Sequence, residues 1–121
     1  MSFERKKIGK FGEDLAVSFL KKKGYKIIER NFFIHRLGEI DIVSEHGGRM
    51  VFVEVRTKSG NSFCSPEESI GPRKKQKLIL MAASYLESKK LWHKPYGIDG
   101  VFIEGNNGRY EIRHLENIIE I

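Results

Sequence analysis

The chain has 121 residues, enough for one domain with its own core, and an apolar share of 40% fits a folded protein. Its 22 Lys and Arg exceed 16 Asp and Glu, so the net charge is +6 and the pI about 9.5, a balance that suits a polyanionic partner. The lone cysteine, Cys64, excludes an intrachain disulfide framework and a cysteine-based zinc site, and it points to a reducing compartment. No run approaches the roughly 20 apolar residues of a membrane span. The charged opening Met1-Ser-Phe-Glu-Arg-Lys-Lys7 does not read as a secretory leader. The expected protein is soluble and cytoplasmic, without a membrane partner.

Ile8, Phe11, Leu15, Ala16, Phe19 and Leu20 recur at helical spacing and predict an amphipathic helix over 5–23, ended by Gly24. Residues 25–33, rich in β-branched and aromatic side chains, predict a strand. Two further strands, 38–45 and 49–58, flank Gly47-Gly48, a favoured two-residue hairpin turn. The polar stretch 59–69 reads as an exposed loop. Pro72 opens a second helix, which buries Leu78, Met81, Ala82, Tyr85 and Leu86 and runs to about Lys90, with Trp92 and Tyr96 expected to anchor its end. Strands at 97–104 and 109–115 follow, joined by a turn at 106–108, and the last residues, 116–121, are ambiguous. The order α-β-β-β-α-β-β predicts an α/β fold, a mixed sheet flanked by helices, in one domain over 1–121.

The hairpin carries the most chemistry. A two-residue turn at Gly47-Gly48 sets Asp41 opposite Glu54, Glu39 opposite Arg56, Ile40 opposite Val55 and Ile42 opposite Val53. One face is then apolar, while the other holds opposed carboxylates and a cation. Like charges directly opposed destabilise a sheet, so the expectation is a divalent cation between Asp41 and Glu54. Mg²⁺ or Mn²⁺, which take hard oxygen ligands, match that need, and the Val55 carbonyl offers a further oxygen. Arg56 and Lys58 follow at two-residue steps on the same face, where a cation would stabilise charge developing on a phosphate. The plainer alternative is a wet strand face with each carboxylate paired to a neighbouring cation.

Gly38-Glu-Ile-Asp-Ile-Val43 followed by Val51-Phe-Val-Glu-Val-Arg-Thr-Lys58 resembles the D…(E/D)-x-K signature of restriction-endonuclease-like nucleases. With Gly9-Lys-Phe-Gly-Glu-Asp-Leu-Ala16 in the first helix and Ser69-Ile70 leading into a basic second helix, the chain looks most like the YraN family of small bacterial proteins. That family is similar to archaeal Holliday junction resolvases. The resemblance covers nearly the whole chain. It implies a three-layer restriction-endonuclease-like fold, metal ligands at Asp41 and Glu54, and a first-helix carboxylate, Glu13, approaching the same site. From spacing alone Glu13 is an exposed helix residue or a partner of Lys10. One departure stands out: Arg56 occupies the usual lysine position, and guanidinium stays protonated, so it cannot accept a proton from water. It can clamp a phosphate; either Lys58 takes over the lysine's place or the metal alone generates the hydroxide.

Arg73, Lys74, Lys75 and Lys77 crowd the first turns of the second helix, the positive end of its dipole, where they form either a phosphate site or a solvated basic face. Glu67 and Glu68 are expected to offset them, and the loop with Ser62, Phe63 and Ser65 to form the lip of the site, Phe63 packing against the core rather than stacking on a base. His35, His46, His93 and His114 lack metal-ligand spacing and read as surface or turn residues; Asp99 is at most an outer member of the acidic site. The expected activity is metal-dependent hydrolysis of DNA phosphodiesters, with branched or junction substrates following from the resemblance alone; junction cleavage would favour a homodimer. A DNA-binding module without turnover, motivated by Arg56, and a protein-interaction domain using the basic face are the other readings.

Overall fold

Helix α1 (Ser2–Lys22) precedes three strands, β1 (Lys26–Ile34), β2 (Gly38–His46) and β3 (Arg49–Ser59). Helix α2 (Pro72–Ser88) then leads to β4 (Tyr96–Asn106) and β5 (Arg109–Leu115). The computed structural model describes residues 2–59, 70–106 and 108–119. The expectations placed on Ser62, Phe63, Cys64, Ser65, Glu67 and Glu68 lie outside the described residues, as does the side chain of Ile8.

The five strands form one sheet in the order β1-β2-β3-β4-β5, antiparallel except for the β3–β4 pair. Parallel neighbours need a long crossover, which α2 supplies. The two helices cover opposite faces. Ala16 and Leu20 of α1, one turn apart and wholly buried, pack with Tyr25, Ile42, Val51, Val53, Val101 and Ile103. Leu78, Met81, Ala82, Tyr85 and Leu86 of α2 pack with Ile40, Val43, Met50, Phe52 and Ile98. The result is a three-layer α/β arrangement, as the element order predicts. Helix α1 closes with Gly24 N–H donating to the Lys21 carbonyl and Tyr25 N–H to the Leu20 carbonyl, both at 3.0 Å. That Schellman closure seats Tyr25 in the core beside Leu20. At the end of α2 Trp92 is 65% exposed, whereas Tyr96 packs on Phe52 with ring centres 5.9 Å apart. Among the described residues no helix is long and apolar enough to cross a membrane.

Gly47 and Gly48 both have positive φ, +60° and +78°, as the predicted turn requires. The predicted register follows from His46↔Arg49 to Ile42↔Val53, and there the β2–β3 ladder ends. The expected Asp41–Glu54, Ile40–Val55 and Glu39–Arg56 strand pairs do not form. Ile40 packs under α2, whereas Ile42 packs under α1. On β1 the same switch occurs: Arg30 reaches Asp14 of α1, and Phe32 meets Tyr85 of α2 edge-on. Asn31, between them, has φ +53°, a left-handed conformation that asparagine tolerates better than most residues. The two strands break their alternation together, and Asp41 sits at the break. The face carrying Glu54 is also no wet face, because α2 covers it.

Candidate active site

Asp41 stands where β2 parts from β3. With the ladder ended, the Val55 N–H lacks a strand partner there, and Asp41 Oδ2 accepts from it at 2.8 Å. A carboxylate thus does the work of a backbone carbonyl in the seam between the strands. The sequence suggested the Val55 carbonyl as an oxygen donor to a metal; the role the structure gives Val55 is that its amide holds the Asp41 carboxylate in place.

Glu54 is one step beyond the last β2–β3 pair and only 5% exposed. Its Oε2 accepts from Arg56 Nε at 3.1 Å and lies 3.5 Å from Lys74 Nζ in the first turn of α2. Arg56 therefore folds back onto the carboxylate two residues before it. On the far side of Asp41, Glu13 Oε1 accepts from Asn31 Nδ2 at 2.8 Å and stands 3.8 Å from Arg30. Gly12 makes this approach possible. A Cβ there would overlap Thr57 Oγ1, so only glycine lets α1 lie this close to β3.

The electrostatics bind the group together. Burial first, and then the Glu54 charge, push the Asp41 carboxyl up to about 7; Glu13 adds to the rise, while the Val55 amide and Lys74 oppose it. Glu13 and Glu54 are both felt at Asp41, and each of the two is itself paired with cations, Arg30 for Glu13 and Arg56 with Lys74 for Glu54.

The other predicted cations diverge. Lys58 pairs with Glu104 in the β3–β4 register and lies four residues beyond Glu54, about 13 Å along the strand. Arg73 and Lys77 are exposed, and Lys75 lines a cavity of about 260 Å³ with Ile70, Phe102 and Glu116. Of the four helix-start cations, Lys74 is the one that reaches the carboxylates.

A second polar cluster went unread in the sequence. Asp99, His114 and Glu116 place ligand-type atoms within 4.8 Å of one another, closer than Glu13, Asp41 and Glu54 converge. Asp99 pairs with Val53 in the parallel register and so faces α1, not the Glu54 side. Tyr25 O–H bridges Asp99 and Glu116 at 3.1 Å each, and the Asn117 amide donates to Asp99 Oδ1 at 3.0 Å. His114 Nε2 lies 2.8 Å from Asp99 Oδ2, and its Nδ1 lies 2.6 Å from Lys23 Nζ. With Nδ1 accepting from the ammonium and Nε2–H donating to Asp99, the ring has no lone pair left for a metal. This cluster fastens the segment after β5 to β4. Burial and the neighbouring carboxylates push the Tyr25 hydroxyl well above its ordinary range. His114, far from being a surface residue, has a side chain only 2% exposed. His46 is likewise engaged, stacked on Tyr25 at 4.1 Å.

Residues 12–112 match the family described as Uncharacterised protein family UPF0102. A UPF0102 protein of Syntrophomonas wolfei is 43% identical over 112 residues, covering 93% of this chain and 96% of its own. One from Carboxydothermus hydrogenoformans is 39% identical over 116 residues, covering 96% and 98%. One from Persephonella marina is 42% identical over 113 residues, covering 93% of each chain. The chain belongs to the UPF0102 family.

Proposed function

We propose that this protein is a metal-dependent nuclease that hydrolyses DNA phosphodiesters at the seam between β2 and β3. The observation that carries the reading is the neighbouring pair of carboxylates, half-buried Asp41 and buried Glu54, in which desolvation and then the Glu54 charge raise Asp41 to about 7. Such a pair is stable when a cation shares it. The donor set fits Mg²⁺ or Mn²⁺: hard carboxylate oxygens, with the described hydrogen bonds landing on Asp41 Oδ2 and Glu54 Oε2. Asp41 Oδ1 and Glu54 Oε1 are the atoms that would hold the ion, with Glu13 behind them. Bound there, a divalent ion supplies an activated water and steadies the leaving oxygen.

The chain's own residues prepare the site. The Val55 amide fixes Asp41, Arg56 orients Glu54, and Asn31 with Arg30 holds Glu13 close. Arg73 and Lys77, exposed at the start of α2, are placed to contact backbone phosphates. The resemblance to restriction-endonuclease-like nucleases and archaeal junction resolvases supports DNA as substrate, and branched DNA within it. Arg56 in place of the usual lysine favours a second reading, a DNA-binding module of the same fold without turnover.

Calorimetric titration with Mn²⁺ tests the ion site, and cleavage of single-stranded, duplex, flap and four-way-junction DNA tests the chemistry. Asp41→Asn and Glu54→Gln should lose both. A protein that binds DNA but cuts none of these substrates in Mg²⁺ or Mn²⁺ is the binding module.

A further inference from the structure

Resting on the nuclease reading above, we propose that Lys74 is the catalytic cation of this site, a helix-borne lysine standing where the D…(E/D)-x-K pattern would place one from β3. Three lysine or arginine side chains compete for that part. Arg56 bonds back to Glu54 through Nε at 3.1 Å and is spent on orienting it. Lys58 sits four residues, about 13 Å, further along the strand, opposite Glu104. Lys74 Nζ is 3.5 Å from Glu54 Oε2, and its charge is felt at Asp41 across the seam.

The setting of Lys74 serves the same end. Its side chain is 34% exposed, so the ammonium meets solvent on one side and the carboxylates on the other. It lies in the first turn of α2, which contains no acidic residue and no side-chain cap, so the positive end of the helix dipole adds to its field. In hydrolysis, a water oxygen bonds to phosphorus while the bond from phosphorus to the leaving sugar oxygen breaks. The electron pair of that bond stays on the leaving oxygen, which takes a proton from solvent; the attacking water gives its proton to solvent. Negative charge builds on the non-bridging phosphate oxygens during this exchange. An ammonium beside Glu54 is placed to receive one of them.

The test compares wild type, Lys74→Ala, Lys74→Gln, Lys74→Arg and the double variant Lys75→Ala/Lys77→Ala on a DNA that wild type cuts, at saturating Mn²⁺. Mn²⁺ affinity by calorimetry gives a readout independent of turnover. Both neutral Lys74 variants should lower kcat by about 100-fold or more, the usual loss when one charge-stabilising donor is removed. Lys74→Arg should retain part of the rate, and the double variant should raise KM with kcat little changed. Mn²⁺ affinity of Lys74→Ala should be equal to or tighter than wild type, because a cation beside Glu54 is gone. Wild-type kcat in both neutral variants, or weakened Mn²⁺ binding in Lys74→Ala, overturns the proposal while leaving the nuclease reading intact. A wild type that cuts none of the four DNA forms overturns the nuclease reading, and this proposal with it.

Discussion

In the metal-free protein, Asp41→Asn should change how stability depends on pH. An ordinary aspartate ionises near 3.8, and in the folded protein Asp41 is raised to about 7. Below the unfolded value the carboxyl is neutral in both states, and the native state carries no penalty. As pH rises from about 4 to about 7 the unfolded chain ionises while the folded one resists, so stability falls through that window. Roughly three pKa units at 1.36 kcal/mol each set an upper bound of about 4 kcal/mol for the loss. Asparagine keeps an oxygen to accept from the Val55 amide, so the substitution removes the charge without orphaning that N–H. Alanine would orphan it, at a cost of about 1–3 kcal/mol, which would mask the gain from relieved repulsion. Other groups slope the opposite way: Arg30 holds Asp14 below the usual carboxylate range, and Lys94 does the same for Glu45. The informative quantity is therefore the difference between Asp41→Asn and wild type, from urea unfolding in EDTA at pH 4.5 and pH 8. The excess of the variant over wild type should grow from about 1 kcal/mol at pH 4.5, where the unfolded carboxyl is already largely ionised, to as much as about 4 kcal/mol at pH 8. Parallel pH profiles for the two proteins would refute the buried-carboxylate argument.

Gly12→Ala drives a methyl into Thr57 and should cost about 1–3 kcal/mol in thermal melts, with most of it recovered in Gly12→Ala/Thr57→Ala. Tyr25→Phe removes the hydroxyl that bridges Asp99 and Glu116 and should destabilise by about 1–3 kcal/mol, with hydrogen exchange faster at the Asn117 and Ile118 amides. Replacing Arg73 and Lys77 with Ala should reduce the log–log salt slope of DNA binding by about 0.9 for each phosphate that is no longer neutralised; an unchanged slope marks them as a solvated face.

The hairpin could be read from sequence because its register is set locally, by Gly47-Gly48. Five successive pairs follow from that turn. What the turn could not reveal is where the ladder stops, which coincides with a change of faces on the neighbouring strand. Asn31, in its left-handed conformation, lies between the Arg30↔Ile42 and Phe32↔Ile40 pairs and so beside Asp41. An asparagine inside an otherwise β-rich run was the available signal. For Lys58 strand alternation gave a face but not a distance from Glu54, which the strand sets at four residues. Lys74 could not be told from Arg73, Lys75 or Lys77, since the choice among them depends on how α2 lies against β3. His114 was misjudged for a similar reason: β5 is an edge strand, and its inward side chains become buried only when α1 lies over them, as Phe19 does on His114.

The single parallel junction in the sheet has a consequence for the order in which the site assembles. Asp41 and Glu54 each lie one residue beyond the last pair of a hairpin closed by a tight turn, whereas Val53 meets Asp99 only after the chain has carried α2 across the sheet. Local contacts form early and long closures late. Until α2 docks, Glu54 remains hydrated and its repulsion with Asp41 is screened by water. The docking of α2 removes that water, and the same motion delivers Lys74. Burial and compensation of the charge are one event, placed late in folding. Neutralising Lys74 should therefore act chiefly on the unfolding rate and little on the folding rate, a distinction that stopped-flow chevrons would display directly.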